Sequence, residues 1–152
     1  MSRAPFQVLV FPFRIVAERV YEYAIFRRSD LNCWQGISGG GEMQETPKEA
    51  AIREAFEEGG VPLESEWIAL ESTCSIPVVN VCGFLWGDSI LLLKEYCFGV
   101  KVQSIDETNL SDEHLEVRWC PYSDALELLE WDSNKTALWE LNHRLLVQSM
   151  KT

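Results

Sequence analysis

The stretch Gly39–Gly60, GGGEMQETPKEAAIREAFEEGG, decides the reading of this chain. Glu42, Glu45, Glu49, Glu54, Glu57 and Glu58 crowd into it between runs of glycine. Like charges at helical spacing repel, so the run costs stability unless something positive sits among them. Its local signals are those of a helix. Thr46 is a good N-cap, Pro47 suits the first helical position, and Glu49 completes a T-x-x-E capping box. Ala50, Ala51, Ile52, Ala55 and Phe56 supply apolar surface, and Gly59-Gly60 provide the stop, which predicts a helix from about Pro47 to Glu58.

On such a helix, residues three and four apart share a face, so Glu54, Glu57 and Glu58 project together. Three carboxylates around one small volume are unfavourable bare but suit hard divalent cations, which take oxygen ligands. Mg²⁺ keeps several waters and bridges a few carboxylates to substrate phosphates. Arg53, beside them, can orient a carboxylate through bidentate bonds. The glycines at 39–41 permit backbone torsions closed to other residues and let the main chain approach a ligand closely. Taken alone, EAAIREAFEE reads at least as well as a solvated surface helix.

The rest of the chain narrows the choice. Its 152 residues fit one domain, 1–152, with room for a sizeable core. The apolar runs around Val8–Phe13 and Ile90–Leu93 are too short to span a bilayer, so no membrane is expected. A net charge of -11 argues against binding nucleic acid, which is driven by Lys and Arg against phosphates. The same charge repels a phosphorylated small molecule unless bound cations reverse the local field. Cys33, Cys74, Cys82, Cys97 and Cys120 are scattered with no C-x-x-C pair, which reads as buried reduced thiols in a cytoplasmic protein.

Strands and helices alternate in the pattern. Gln7–Arg14, Arg19–Arg27, Trp34–Ile37, Trp67–Pro77, Tyr96–Gln103 and Leu115–Cys120 read as strands, and Asp30–Asn32 as a loop. Pro121–Leu129 reads as a short helix. Ser133 caps a last one, in which Leu138, Leu141 and Leu145 recur at helical spacing. The apolar segment Val79–Leu93 has no assignment. A mixed sheet with two or three helices gives an α/β (α+β) architecture.

Gly39, Glu45 and the run Arg53-Glu54-Ala55-Phe56-Glu57-Glu58-Gly59-Gly60-Val61 together fill G-x5-E-x7-R-E-U-x-E-E-x-G-U, where U is apolar. At background usages of roughly 5–8% per fixed residue, a chance match is on the order of 1 in 10⁸ per position. This pattern resembles the Nudix box. The resemblance implies an α/β/α sandwich with the box as loop, helix and loop. It also implies a Mg²⁺- or Mn²⁺-dependent pyrophosphohydrolase of a nucleoside diphosphate linked to another moiety. On that reading Glu54, Glu57 and Glu58 are metal ligands, while Arg53 and Glu45 position them, and a main-chain carbonyl near Ser38 or Gly39 adds a ligand. The general base is Glu57, Glu58 or a residue outside the box.

That outside residue is read as Glu113, a further metal ligand. The stretch Ser111–Leu145 resembles the C-terminal half of the dihydroneopterin triphosphate (dATP) pyrophosphohydrolase branch, where a Glu before His-Leu lies on a loop over the metal site. Phe26–Gly40 is similar to that branch in Arg27-Arg28 and Trp34-Gln35. Substrate contacts are therefore expected from Arg27, Trp34, Gln35, Gly39 and Gly40. Arg27 reads equally as a solvated strand end and Trp34 equally as core. His114 is expected to pack or orient its loop, and His143, Trp131 and Trp139 to be structural. The expected substrate is a nucleoside or pterin triphosphate, cleaved to monophosphate and diphosphate. ADP-ribose or nucleotide sugars, dinucleoside polyphosphates, and a non-catalytic nucleotide-binding module are the alternatives. The Val79–Leu93 segment reads as a homodimer interface or a buried strand pair.

Overall fold

A computed structural model describes residues 2–105, 110 and 114–150. Among these residues seven strands form one mixed sheet: β1 (Arg3–Ala17), β2 (Val20–Arg28), β3 (Trp34–Gln35), β4 (Ile37–Glu42), β5 (Glu66–Pro77), β6 (Leu92–Lys101) and β7 (His114–Cys120). Three helices complete it: α1 (Pro47–Gly59), α2 (Tyr122–Leu128) and α3 (Asp132–Met150). The long β1 organises the sheet. It pairs parallel with β6 through Phe6–Phe13, antiparallel with β4 through Arg3–Val10, and antiparallel with β2 through Phe13–Ala17.

Strand side chains alternate between faces, and β1 sends its two sets to two separate cores. Val8 and Val10 join Phe26, Ile37, Phe98 and the alanines of α1. Leu9, Phe11 and Phe13 join Tyr23, Ile25, Ala137, Leu138, Leu141 and Leu145 on the side of α2 and α3. The result is the expected α/β/α sandwich. Ala50, Ala51 and Ala55 are all fully buried. Their small size lets α1 lie close against β1 and β4, which is why the apolar slot of the motif holds no more than an alanine.

Helix α1 starts and stops as its sequence predicts. Thr46 Oγ1 accepts from Glu49 N at 3.1 Å while Glu49 Oε1 accepts from Thr46 N at 2.9 Å. Gly60 ends it in the left-handed region at φ 65, a conformation open to glycine at little cost.

Two expectations are corrected. The glycines at 39–41 continue β4 instead of forming a loop, and none has positive φ. They supply space, as the site below makes plain, and the left-handed residue of this connection is Gln44 at φ 76. The segment Val79–Leu93 is neither a strand pair nor a helix. A 3₁₀ turn at Val78–Asn80 leads into turns, and only Leu92 and Leu93 enter β6. Val79, Phe84, Leu85 and Leu91 are exposed there, and Trp86 anchors the segment by donating Nε1–H to the Arg3 carbonyl at 2.8 Å. All five cysteines are free, and Cys33, Cys97 and Cys120 are buried. Among the described residues no helix is long and apolar enough to cross a membrane.

Candidate functional site

The carboxylates of α1 open into a cleft of about 730 Å³. Strand β4 forms its floor, the Glu54–Glu58 face of α1 one wall, Arg28 and His114 another, and Asn80 and Val81 its far rim. Arg53 is the hub of the polar arrangement. Its Nε donates to Glu45 Oε2 at 2.8 Å and its Nη2 to Glu45 Oε1 at 3.1 Å. The same Nη2 also donates to the Gly40 carbonyl at 2.9 Å. Nη1 reaches Glu54 Oε1 at 3.0 Å and Glu57 Oε2 at 3.3 Å. Glu45 in turn accepts from the Glu42 backbone N–H at 2.7 Å, which ties the loop before α1 to the helix. This guanidinium is the positive charge that the crowded glutamates require.

Electrostatics follow from that geometry. Arg53 holds the Glu45 carboxyl below the usual carboxylate range, and Glu45 first among its partners pushes the guanidinium upward. Glu54 goes the other way. Burial, reinforced by Glu58 and Glu57, raises it to about 7 even though Arg53 lies 3.0 Å away. The ion pair and the upward shift conflict only on the surface: one guanidinium is divided among three carboxylates and cannot offset the desolvation of the most buried of them. Burial, then the nearby Arg28 charge, lowers His114 to about 4, so at neutral pH it is an uncharged imidazole. Its Nδ1 is 3.6 Å from Glu58 Oε2, outside hydrogen-bond range, and its ring leans on Phe26 with centroids 5.1 Å apart. It packs the wall, as expected.

The glycines of β4 make room for this. A side chain at Gly39 would collide with the Glu54 carboxylate, one at Gly40 with the Arg3 guanidinium, and one at Gly41 with the Phe6 ring. Oxygen-only donors on one helix face have the chemistry of a hard-cation site. Among the described residues no three of them converge as metal ligands, because Glu54 and Glu57 turn toward Arg53. Glu57, whose side chain is 51% exposed, is free to swing away, whereas Glu54 and Glu58 are fixed by burial.

The expected site residues divide into two groups. Arg53, Glu54, Glu57, Glu58, Gly39, Gly40 and Gln35 line the cleft, and Glu45 joins them through Arg53. Gln35 is buried and accepts from Trp131 Nε1 at 3.3 Å. Arg27 and Trp34 do not join them. They pair with each other across β2 and β3, as Phe26 pairs with Gln35, and cross-strand partners share a face. Arg27 and Trp34 therefore lie on the face opposite α1. There Arg27 bonds Glu116 at 2.8 Å and Asn32 at 2.7 Å, and the Arg118 guanidinium stands 4.9 Å from the Trp34 ring centroid. Arg28, one residue on, lines the cleft instead and is paired with Asp30. Glu113 lies outside the described residues.

Glu42 of the same acidic run also lines the cleft, as do Arg3 and Gln7, which no local motif announces. Of these last two, Gln7 alone left a trace in the sequence, as a polar residue at a β1 position whose successors Leu9, Phe11 and Phe13 are apolar.

Comparison with known proteins agrees with this fold. The NUDIX domain model matches residues 15–139. A dihydroneopterin triphosphate diphosphatase of Haemophilus influenzae is 29% identical over 115 residues, spanning 74% of this chain and 72% of that protein. An RNA pyrophosphohydrolase of Roseobacter denitrificans is 30% identical over 108 residues, spanning 66% and 68%. A solved structure from Listeria monocytogenes, described as a NUDIX hydrolase, superposes with a TM-score of 0.85 at 41% identity and covers 96% of this chain and 97% of its own.

Proposed function

The chain belongs to the NUDIX domain family and is a hydrolase, and from that premise we propose that it cleaves a nucleoside or pterin triphosphate to monophosphate and diphosphate with Mg²⁺. The observation that carries this reading is the Arg53-organised carboxylate face of Glu54, Glu57 and Glu58, opening with Arg28 into one cleft. Glu54, Glu57 and Glu58, with Glu113 from outside the described residues, would hold Mg²⁺ or Mn²⁺. Bound there, the cation neutralises phosphate charge and lowers the pKa of a water.

The chain's own groups have separable tasks. Arg53 and Glu45 keep the buried carboxylates oriented, and the side-chain-free Gly39 and Gly40 let the Glu54 carboxylate and the Arg3 guanidinium close onto β4 at the cleft. Arg28, its Nε and Nη2 bonded to Asp30, lines the cleft with a positive charge that would favour phosphoryl oxygens. Glu57, the most exposed of the three, would take the proton of the attacking water, with Glu58 and Glu113 the other candidates.

The test is product release from purified protein, with and without Mg²⁺. The panel holds the nucleoside triphosphates, dihydroneopterin triphosphate, ADP-ribose, diadenosine polyphosphates and 5′-triphosphorylated RNA. Metal-dependent release of diphosphate from a free triphosphate supports the proposal. Cleavage confined to ADP-ribose, dinucleosides or RNA ends replaces it with that substrate class, and binding without cleavage replaces it with a binding module.

A further inference from the structure

Gly39 and Gly40 sit on opposite faces of β4, and the two spaces they leave are filled by opposite charges. The Glu54 carboxylate occupies the first and the Arg3 guanidinium the second. Both line the same cleft, so it has an acidic pole on the α1 side of β4 and a cationic pole on the other. Arg14, Arg27, Arg28, Arg53 and Arg144 each pair with a carboxylate. Arg3 forms no ion pair among the described residues, although the chain carries a net charge of -11. It is held in other ways. Its Nη2 donates to Gln7 Oε1, and its carbonyl accepts from Trp86 Nε1 at 2.8 Å. Among the described residues Nε is sealed off without a partner, while Nη1 makes no hydrogen bond and is not one of the sealed, unpartnered atoms. The guanidinium is thus positioned, charged and still able to donate.

We propose that Arg3, oriented by Gln7, is the specificity residue of this cleft and recognises the 6-oxo edge of a guanine-type purine, or the equivalent 4-oxo edge of a pterin, in preference to a 6-amino purine. This rests on the triphosphate reading above. A guanidinium is all donors. The guanine edge presents two acceptors, O6 and N7, whereas adenine sets a donor amino group beside N7. Phosphates are drawn to the α1 pole, where the cation ligands and Arg28 stand, so the pole beyond β4 receives the other end of the substrate. Gln7, 8% exposed and an immediate neighbour of Glu95 across β1 and β6, lines that end with its side-chain amide, whose Oε1 holds Arg3.

The experiment compares kcat/KM for GTP and ITP with ATP, in the wild type, Arg3→Ala and Arg3→Lys. Calorimetric Kd values for GMP and AMP are measured on the same proteins without hydrolysis. A preference for the oxo substrates on the order of 10- to 100-fold is expected in the wild type. It should collapse in both variants, because lysine keeps the charge but loses the planar fork. GMP should bind more tightly than AMP in the wild type alone. Equal handling of oxo and amino purines by the wild type overturns the inference. So does a uniform loss for every triphosphate in Arg3→Ala that Arg3→Lys restores, which would make Arg3 a phosphate contact. If no triphosphate is cleaved yet GMP outbinds AMP only when Arg3 is present, the catalytic reading fails and this one stands.

Discussion

Arg53 grips Glu45, eight residues before it, through both carboxylate oxygens at 2.8 and 3.1 Å, and with the same guanidinium reaches Glu54 and Glu57 one turn apart. That one side chain closes the loop before α1 onto the helix and sets the spacing of the acidic face.

Replacing Arg53 therefore acts on stability and activity together. Arg53→Ala leaves Glu45 and Glu54 without their countercharge in places where water reaches poorly, a loss of about 2–4 kcal/mol. Arg53→Lys should recover part of the stability and little of the activity, since an ammonium cannot bridge three carboxylates and a carbonyl. Urea unfolding beside turnover measures both. Full activity in folded Arg53→Ala would remove Arg53 from the site.

Glu57→Gln and Glu58→Gln should separate function from fold. Each removes a like charge from a crowded face, so the melting temperature should hold or rise, while turnover falls by orders of magnitude. Mg²⁺ titration of both proteins by calorimetry supplies the independent readout, with weakened binding expected. Unfolding with unchanged activity per folded molecule would count against the assigned role.

Gln44 holds a left-handed backbone at φ 76, which costs a residue with a Cβ about 1 kcal/mol. Gln44→Gly should stabilise the protein by about 0.5 kcal/mol once the greater freedom of the unfolded glycine is deducted. Denaturant midpoints at equal slope would reveal it, and a drop in midpoint would mean the Gln44 side chain has a role of its own.

Glu95 is 4% exposed, its Oε1 has no partner among the described residues, and burial raises its carboxyl to about 7. A raised acid pKa means the unfolded chain ionises first. Stability should thus fall as pH climbs from about 4.5 to about 7 and then level off, a cost of about 3 kcal/mol from this group. In Glu95→Gln that part of the decline should vanish, so the variant gains on the wild type between pH 5 and pH 8. Parallel stability curves across that range would show Glu95 ionised throughout.

Much of this could be read along the chain. Helix α1, its caps and its acidic face are products of local chemistry: a capping box, a 3.6-residue period and a glycine stop act between residues a few positions apart. The Nudix motif and the order of strands and helices were legible for the same reason. Arg27 and Arg28 were not separable in that way. Adjacent strand residues face opposite sides, and which side meets α1 is settled by the register of β2 against β3 and β7, with Phe26 opposite Gln35.

The glycines of β4 make the same point more sharply. Their presence is plain in the sequence, where they read as backbone freedom and room for a ligand, yet the groups that take the space are Arg3, Phe6 and Glu54 from other elements. Sequence alone thus determined the fold family and the acidic helix, whose causes are local or carried by one contiguous motif. Only the tertiary structure decided which arginines face the cleft and that it has a cationic pole, since strand pairing and close packing join residues the chain keeps far apart.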